Sequence, residues 1–308
     1  MPRIHANGIE LEYESLGKGE PLVLIMGIGT QMIAWPDDLC AMLAARGFRL
    51  IRFDNRDVGL SEKIHGERVG DIRKLMVRGL LGRPVAAPYT LIDMADDVAG
   101  LLDGLGVERA HVLGVSMGGM IAQTLAICHP SRVRTLMSIM STTGQRRYGV
   151  GKLSAIRSLV GPAPRDRDEA VQRAEAFYRV CGSTGFPTDW DRVRDLAARA
   201  YDRCFYPAGF VRQMAAIVAT GSRVHALRFV RAPATVMHGS VDPLIRPAAG
   251  RATARAIPGA KLRIIEGMGH DLPAGVWPAI AEEMAELADR ANSAATLGRR
   301  AFAATNAG

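Results

Sequence analysis

The stretch "AHVLGVSMGGMIAQTLAICH", residues 110–129, changes its pattern halfway along. Ala110 to Val115 is an apolar run too short for a helix, whereas from Gly118 to His129 the apolar residues recur at helical spacing. Ser116 stands at the seam, inside Gly114-Val115-Ser116-Met117-Gly118. A strand that turns sharply into a helix requires residues without bulk two before and two after the turn, which gives both glycines a physical reason. The serine then sits over a helix N-terminus, where unpaired N–H groups and the positive end of the dipole favour developing negative charge.

Working outward, the same alternation repeats. The apolar runs 21–26, 48–54, 110–115, 133–140, 233–239 and 260–266 read as strands, and Thr90 to Leu105, Gly118 to His129, Pro247 to Ile257 and Val276 to Ala291 read as helices. Strands alternating with helices imply an α/β protein, with a mostly parallel sheet covered by helices on both faces. Ahead of them, "RIHANGIELEYES" alternates around Asn7-Gly8, a pair suited to a tight hairpin turn. Between Gly144 and Arg228 only helical patterns occur, opened by "GPAPRDRDEA" and broken by "CGSTGFPTDW". The expected organisation is a core over 1–143 and 229–292, a helical lid inserted at 144–228, and a frayed tail at 293–308.

A serine nucleophile needs a base, and the base needs an orienting carboxylate. Of the seven histidines, His270 in "EGMGHDLP" lies in a glycine-rich loop just past a strand, where a parallel sheet presents its reactive groups. His5 falls in the hairpin, His65 in a polar loop, His225 in the insertion, His111 and His238 within strands, and His129 at a helix end before Pro130. For the acid, "MHGSVDPLI" puts Asp242 after strand 233–239, at the same end of the sheet. The chain order Ser, Asp, His is that of the nucleophile-elbow arrangement. Asp54 and Asp57 in "FDNRDVGLSEK" precede the serine and read as turn stabilisers. The oxyanion hole is expected from two backbone N–H groups, that of Met117 and that of Ile28 in "MGIGTQMIAWP".

These motifs resemble the α/β-hydrolase superfamily over essentially the whole chain. "GVSMG" stands as its elbow, "HGSVD" carries the acid, "GMGH" the histidine, and "FDNRDVGLS" stands where the superfamily often has D-x-R-G-x-G-x-S. Met26-Gly27 replaces the frequent His-Gly of the oxyanion loop, so no side chain there can assist. In combination the motifs look like the subgroup of aclacinomycin-type methylesterases and monoalkyl-phthalate hydrolases. That resemblance implies cofactor-independent hydrolysis of carboxylic esters of small, partly apolar acids or alcohols. Other chemistries fit the same triad: carbon–carbon bond hydrolysis, enol-lactone hydrolysis, acyl transfer to an alcohol, or ligand binding by a hydrolase-like receptor.

Composition narrows the rest. With 48% apolar and 23% charged residues the chain reads as globular, and no apolar stretch is long enough for a membrane span or a signal segment, so a cytoplasmic protein is expected. Cys40, Cys128, Cys181 and Cys204 lie far apart, which argues for neither a metal site nor disulfides and for mostly buried thiols. Neither a Walker glycine loop nor HExxH occurs, so no metal or nucleotide cofactor is expected. The net charge of +8 is concentrated in 144–228, where fifteen Arg/Lys face eight Asp/Glu. No nucleic-acid recognition motif accompanies it, and a small-molecule ester is the expected partner. The excess is either a solvated arginine-rich surface or a device that steers an anionic substrate. The insertion's aromatics, Phe177, Tyr178, Phe186, Trp190, Tyr201, Phe205, Tyr206 and Phe210, could wall a pocket, although most are expected to fill the lid's own interior.

Overall fold

Asn7 and Gly8 both adopt positive φ, 50° and 78°, closing the hairpin between β1 (Arg3–Ala6) and β2 (Ile9–Leu16) as their side chains allow. The computed structural model describes residues 2–66, 69–148 and 151–305, with side chains to residue 293. After the hairpin come β3 (Glu20–Ile25), α1 (Asp37–Ala45), β4 (Phe48–Phe53), α2 (Ile72–Leu80), α3 (Leu91–Gly104), β5 (Ala110–Val115), α4 (Met117–Cys128) and β6 (Val133–Ile139). Five helices follow: α5 (Leu153–Leu159), α6 (Arg167–Cys181), α7 (Trp190–Arg203), α8 (Pro207–Thr220) and α9 (Val224–Leu227). The chain then returns through β7 (Ala234–Gly239), α10 (Pro247–Ala256), β8 (Lys261–Ile265) and α11 (Trp277–Thr305).

The eight strands form one sheet in the order β1-β2-β4-β3-β5-β6-β7-β8. The pairs β1/β2 and β2/β4 are antiparallel, and every pair from β4/β3 to β7/β8 is parallel. Alternation along the central strands divides the core in two. Val23, Ile25, Ala110 and Val112 face the side covered by α3, α4 and α10, while Leu22, Leu24, Leu113 and Val115 face the side covered by α1 and α11. Each fully buried Val, Leu or Ile side chain stabilises the fold by about 1.5–3 kcal/mol. The parallel strands all point their C-terminal ends to one edge, so the loops after β3, β5, β7 and β8 converge there.

Helix α3 begins where its sequence signals place it. Thr90 Oγ1 accepts from Ile92 N (3.2 Å) and Asp93 Oδ2 accepts from Thr90 N (2.7 Å), a reciprocal cap. Two expectations need correction. Helix α11 runs on to Thr305 through residues the sequence reading assigns to a frayed tail at 293–308, since their alanine, leucine and arginine content favours helix; residues 306–308 lie outside the described part. Among the thiols, Cys40 and Cys181 are buried, but Cys128 is exposed and Cys204 half-buried. Among the described residues, no helix is long and apolar enough to cross a membrane.

Candidate active site

Ser116 joins β5 to α4 with φ 54° and ψ −118°, a left-handed setting that costs a non-glycine residue about 1–3 kcal/mol. Its neighbours hold it there. Ser116 N donates to Ile139 O (2.9 Å), and Ser141 Oγ donates to Ser116 O (2.7 Å). The glycines act by absence of bulk: a methyl group on Gly114 would lie 2.1 Å from Gly118 O, and one on Gly118 would lie 2.0 Å from Ile25 O. Only glycine at both positions lets helix and strands approach this closely.

The structure brings the three expected side chains into one line. His270 Nε2 is 3.0 Å from Ser116 Oγ, and His270 Nδ1 is 2.7 Å from Asp242 Oδ2. Asp242 is buried in the loop after β7, and its Oδ1 accepts from Leu244 N and Ile245 N at 2.9 Å each. With Nδ1–H donating to the carboxylate, Nε2 is left to accept the serine proton. Burial alone would raise the Asp242 pKa, but His270 and His238 outweigh it and hold the carboxyl well below the ordinary carboxylate range.

His238 is a residue the sequence reading leaves within its strand. Its Nε2 donates to Ile245 O (2.6 Å) and lies 3.4 Å from Asp242 Oδ2, so it braces the acid's loop from inside the sheet. Its only sequence signal is the four-residue spacing to Asp242, which has no meaning until the loop folds back.

The loop after β3 packs against the nucleophile, and a methyl group on Gly27 would sit 3.4 Å from Ser116 Cβ. In this loop Gly29 N donates to Gln213 Oε1 (2.7 Å) and Thr30 N to Gly27 O (3.3 Å). Ile28 follows Gly27 in this loop and Met117 follows the serine, and among the described residues neither N–H has a protein acceptor. Gln213, on α8, also donates to Arg56 O (2.8 Å), and so ties the insertion both to the loop after β3 and to the turn after β4, links no local pattern announces.

Ser116 and His270 open into a cavity of about 1590 Å³ beneath α5 to α8. Six of the eight insertion aromatics, Phe177, Tyr178, Tyr201, Phe205, Tyr206 and Phe210, line it, contrary to the expectation that most fill the lid's interior. The reason is that α6 and α7 have little interior: α6 buries only Cys181, and α7 only Val193 and Ala198. Phe186 packs on the core, and Trp190 lies under Arg179.

Part of the insertion's charge is paired. Arg167 meets Asp202, Arg194 meets Glu175 and Asp191, and Arg199 meets Asp195. Two pairs reach the core: Arg203 Nη1 to Asp54 Oδ2 (2.6 Å) and Arg212 Nε to Asp57 Oδ2 (2.8 Å). Asp54 and Asp57 also accept from backbone, Asp54 from Met32 N and Leu60 N and Asp57 from Ile64 N. They are thus turn stabilisers that also anchor α7 and α8.

A nucleophile elbow, a histidine and an acid after later strands, and two free N–H groups on one edge of this sheet are the marks of a hydrolase fold. The chain belongs to the α/β hydrolase fold family, whose family model matches residues 20–273. It is similar to a rhodomycin D methylesterase of Streptomyces peucetius, 29% identical over 306 residues that cover 91% of this chain and 96% of the relative. A second rhodomycin D methylesterase, from Streptomyces sp. (strain C5), is 29% identical over 282 residues, covering 85% and 88%. These relatives bear out the resemblance to methylesterases. Among solved structures, a meta-cleavage product hydrolase of Pseudomonas fluorescens matches with a TM-score of 0.74 over 94% of this chain and 98% of its own, at 19% identity, which speaks to fold alone.

Proposed function

We propose that this protein is a serine carboxylesterase that works through an acyl-enzyme, with Ser116 as nucleophile, His270 as general base and Asp242 as its orienting acid. The observation that carries the reading is the unbroken line from Ser116 Oγ through His270 to Asp242, at 3.0 and 2.7 Å. His270 takes the Ser116 proton as Oγ attacks the ester carbonyl, and the N–H groups of Ile28 and Met117 receive the oxyanion. His270 then gives its proton to the departing alcohol. Water attacks the acyl-enzyme with the same histidine as base, releasing the acid and restoring Ser116. The methylesterase relatives support esters as the substrate class. The test is turnover of p-nitrophenyl butyrate by wild type and Ser116→Ala, with mass detection of acylated Ser116; equal rates in the two proteins refute the reading.

Within that class we favour half-esters such as monoalkyl phthalates. Arg173, Arg192 and Arg223 line the cavity, and none pairs with a carboxylate among the described residues. Arg173 donates to the carbonyls of Leu159 and Gly161, and Arg192 lies over the Trp277 ring at 4.7 Å. A substrate carboxylate would supply the missing counter-charge.

A further inference from the structure

The loop that carries His270 is held from two sides. On the sheet side, Gly267 N donates to Ser240 Oγ (2.9 Å) and Val241 N donates to Met268 O (3.1 Å). On the other side the support comes from the insertion. Residues 181–185, which leave the end of α6, run alongside the loop: Thr184 N and Gly185 N both donate to Gly267 O, at 3.0 and 2.9 Å. His270 N donates to Cys181 O (2.6 Å), a carbonyl that the end of a helix leaves without an intrahelical partner. The two backbones come so close that a methyl group on Gly269 would lie 2.5 Å from Cys181 O.

One hydroxyl bridges the residues on either side of His270. Ser183 Oγ accepts from Gly269 N (2.9 Å) and donates to Asp271 Oδ1 (2.6 Å), and both Ser183 and Asp271 are buried. Asp271 sits where burial raises its pKa, which the Ser183 hydrogen bond only partly offsets. A carboxylate placed at such a cost, next to the base and outside the line of proton transfer, calls for a function beyond packing.

We propose that Ser183 is a positioning residue for the reaction: by joining Gly269 N–H to Asp271, its hydroxyl sets the orientation of His270 between Ser116 and Asp242. The insertion thus acts on the base as well as covering the cavity. This inference rests on the serine-esterase reading. A histidine that follows a glycine has soft backbone dihedrals on one side, and a displacement of about 1 Å from attack geometry costs about 10²-fold in rate. Ser183 touches no substrate in this scheme, so its loss should appear in kcat and leave KM in place.

The experiment compares wild type, Ser116→Ala, Ser183→Ala, Ser183→Thr, Asp271→Ala and the Ser183→Ala/Asp271→Ala double variant on p-nitrophenyl butyrate, with thermal unfolding in parallel. Ser183→Ala and Asp271→Ala should each lower kcat about tenfold, with KM within twofold. The double variant should be no slower than the slower single, because the two residues act as one unit. Ser183→Thr keeps the hydroxyl and should restore kcat. Should Ser183→Ala not fold, Ser183→Thr and Asp271→Ala decide by the same kcat and KM criteria. A kcat unchanged in both alanine variants, a loss confined to KM, or losses that multiply in the double variant would overturn the proposal. If wild type and Ser116→Ala hydrolyse the ester equally, the esterase reading falls first; if hydrolysis needs Ser116 but not Ser183, only the positioning role falls.

Discussion

Replacing Asp242 with asparagine changes a charge and a donor while leaving volume almost untouched. In the transition state His270 becomes an imidazolium, with Nδ1 2.7 Å from a carboxylate oxygen that is itself buried. At a charge separation of about 4 Å and an effective dielectric of about 20, that pair contributes about 4 kcal/mol, or about 10³ in rate. A second loss adds to the first. Oδ1 is committed to Leu244 N and Ile245 N, so the asparagine amide must turn its NH₂ toward His270 Nδ1. That stabilises the tautomer with the proton on Nε2, which cannot accept from Ser116. The expected fall in kcat is about 10³–10⁴, with KM nearly unchanged. Steady-state hydrolysis of p-nitrophenyl butyrate, alongside circular dichroism of both proteins, measures it. A folded Asp242→Asn enzyme within tenfold of wild type would mean that the aligned contacts are not the working geometry. Stability shifts with a defined sign: the depressed Asp242 pKa adds stability above the ordinary carboxylate range, near ~3.9. That contribution is lost as pH falls through the folded value, so wild type and variant should converge in acid.

Other outcomes follow from contacts already described. Arg212→Met strands the fully buried Asp57 carboxylate and should destabilise the protein by about 3–5 kcal/mol, read as a drop in urea midpoint; an unchanged midpoint would show that Asp57 finds another partner. Gly118→Ala forces a methyl group onto Ile25 O and should cost about 3 kcal/mol or more, together with activity, in thermal unfolding and ester turnover. Asp271→Asn keeps the acceptor for Ser183 but removes a charge that burial penalises, so it should be more stable than wild type at alkaline pH. The gap should close as pH falls through the raised Asp271 pKa, because the native carboxyl takes up its proton before the unfolded one does. If Arg173, Arg192 and Arg223 attract a substrate carboxylate, added salt should lower kcat/KM for a monoalkyl phthalate more than for a neutral ester of similar size; equal responses would remove the half-ester preference.

How much of this was legible in the residues depends on how local each signal is. Ser116 was readable because the glycines that permit its backbone are two positions away on each side, and the elbow uses those positions as the pattern requires. Asp242 and His270 were readable because each follows a strand at one edge of a parallel sheet, a placement that topology alone imposes. The central strands β3, β5, β6 and β7 are legible to within a residue or so, since both of their faces are largely buried and apolar residues dominate the runs. The supports were not readable. Ser183 meets Asp271 across 88 positions and Gln213 meets Gly29 across 184, and no period or spacing marks such pairs. The insertion's aromatics depart from expectation for a related reason: helical spacing tells which residues share a face, not whether that face meets protein or a hollow.

The pairs Arg203–Asp54 and Arg212–Asp57 bear on how such a protein can be altered by recombination. A helical insertion suggests a cassette to be swapped between relatives for a new specificity. Here the cassette's cations find their partners in the turn after β4, more than a hundred residues earlier in the chain. A foreign insertion without arginines at these places would leave two buried carboxylates in that turn unneutralised. Exchange would therefore have to move the turn and the insertion together, and the two segments are bound to change as a pair.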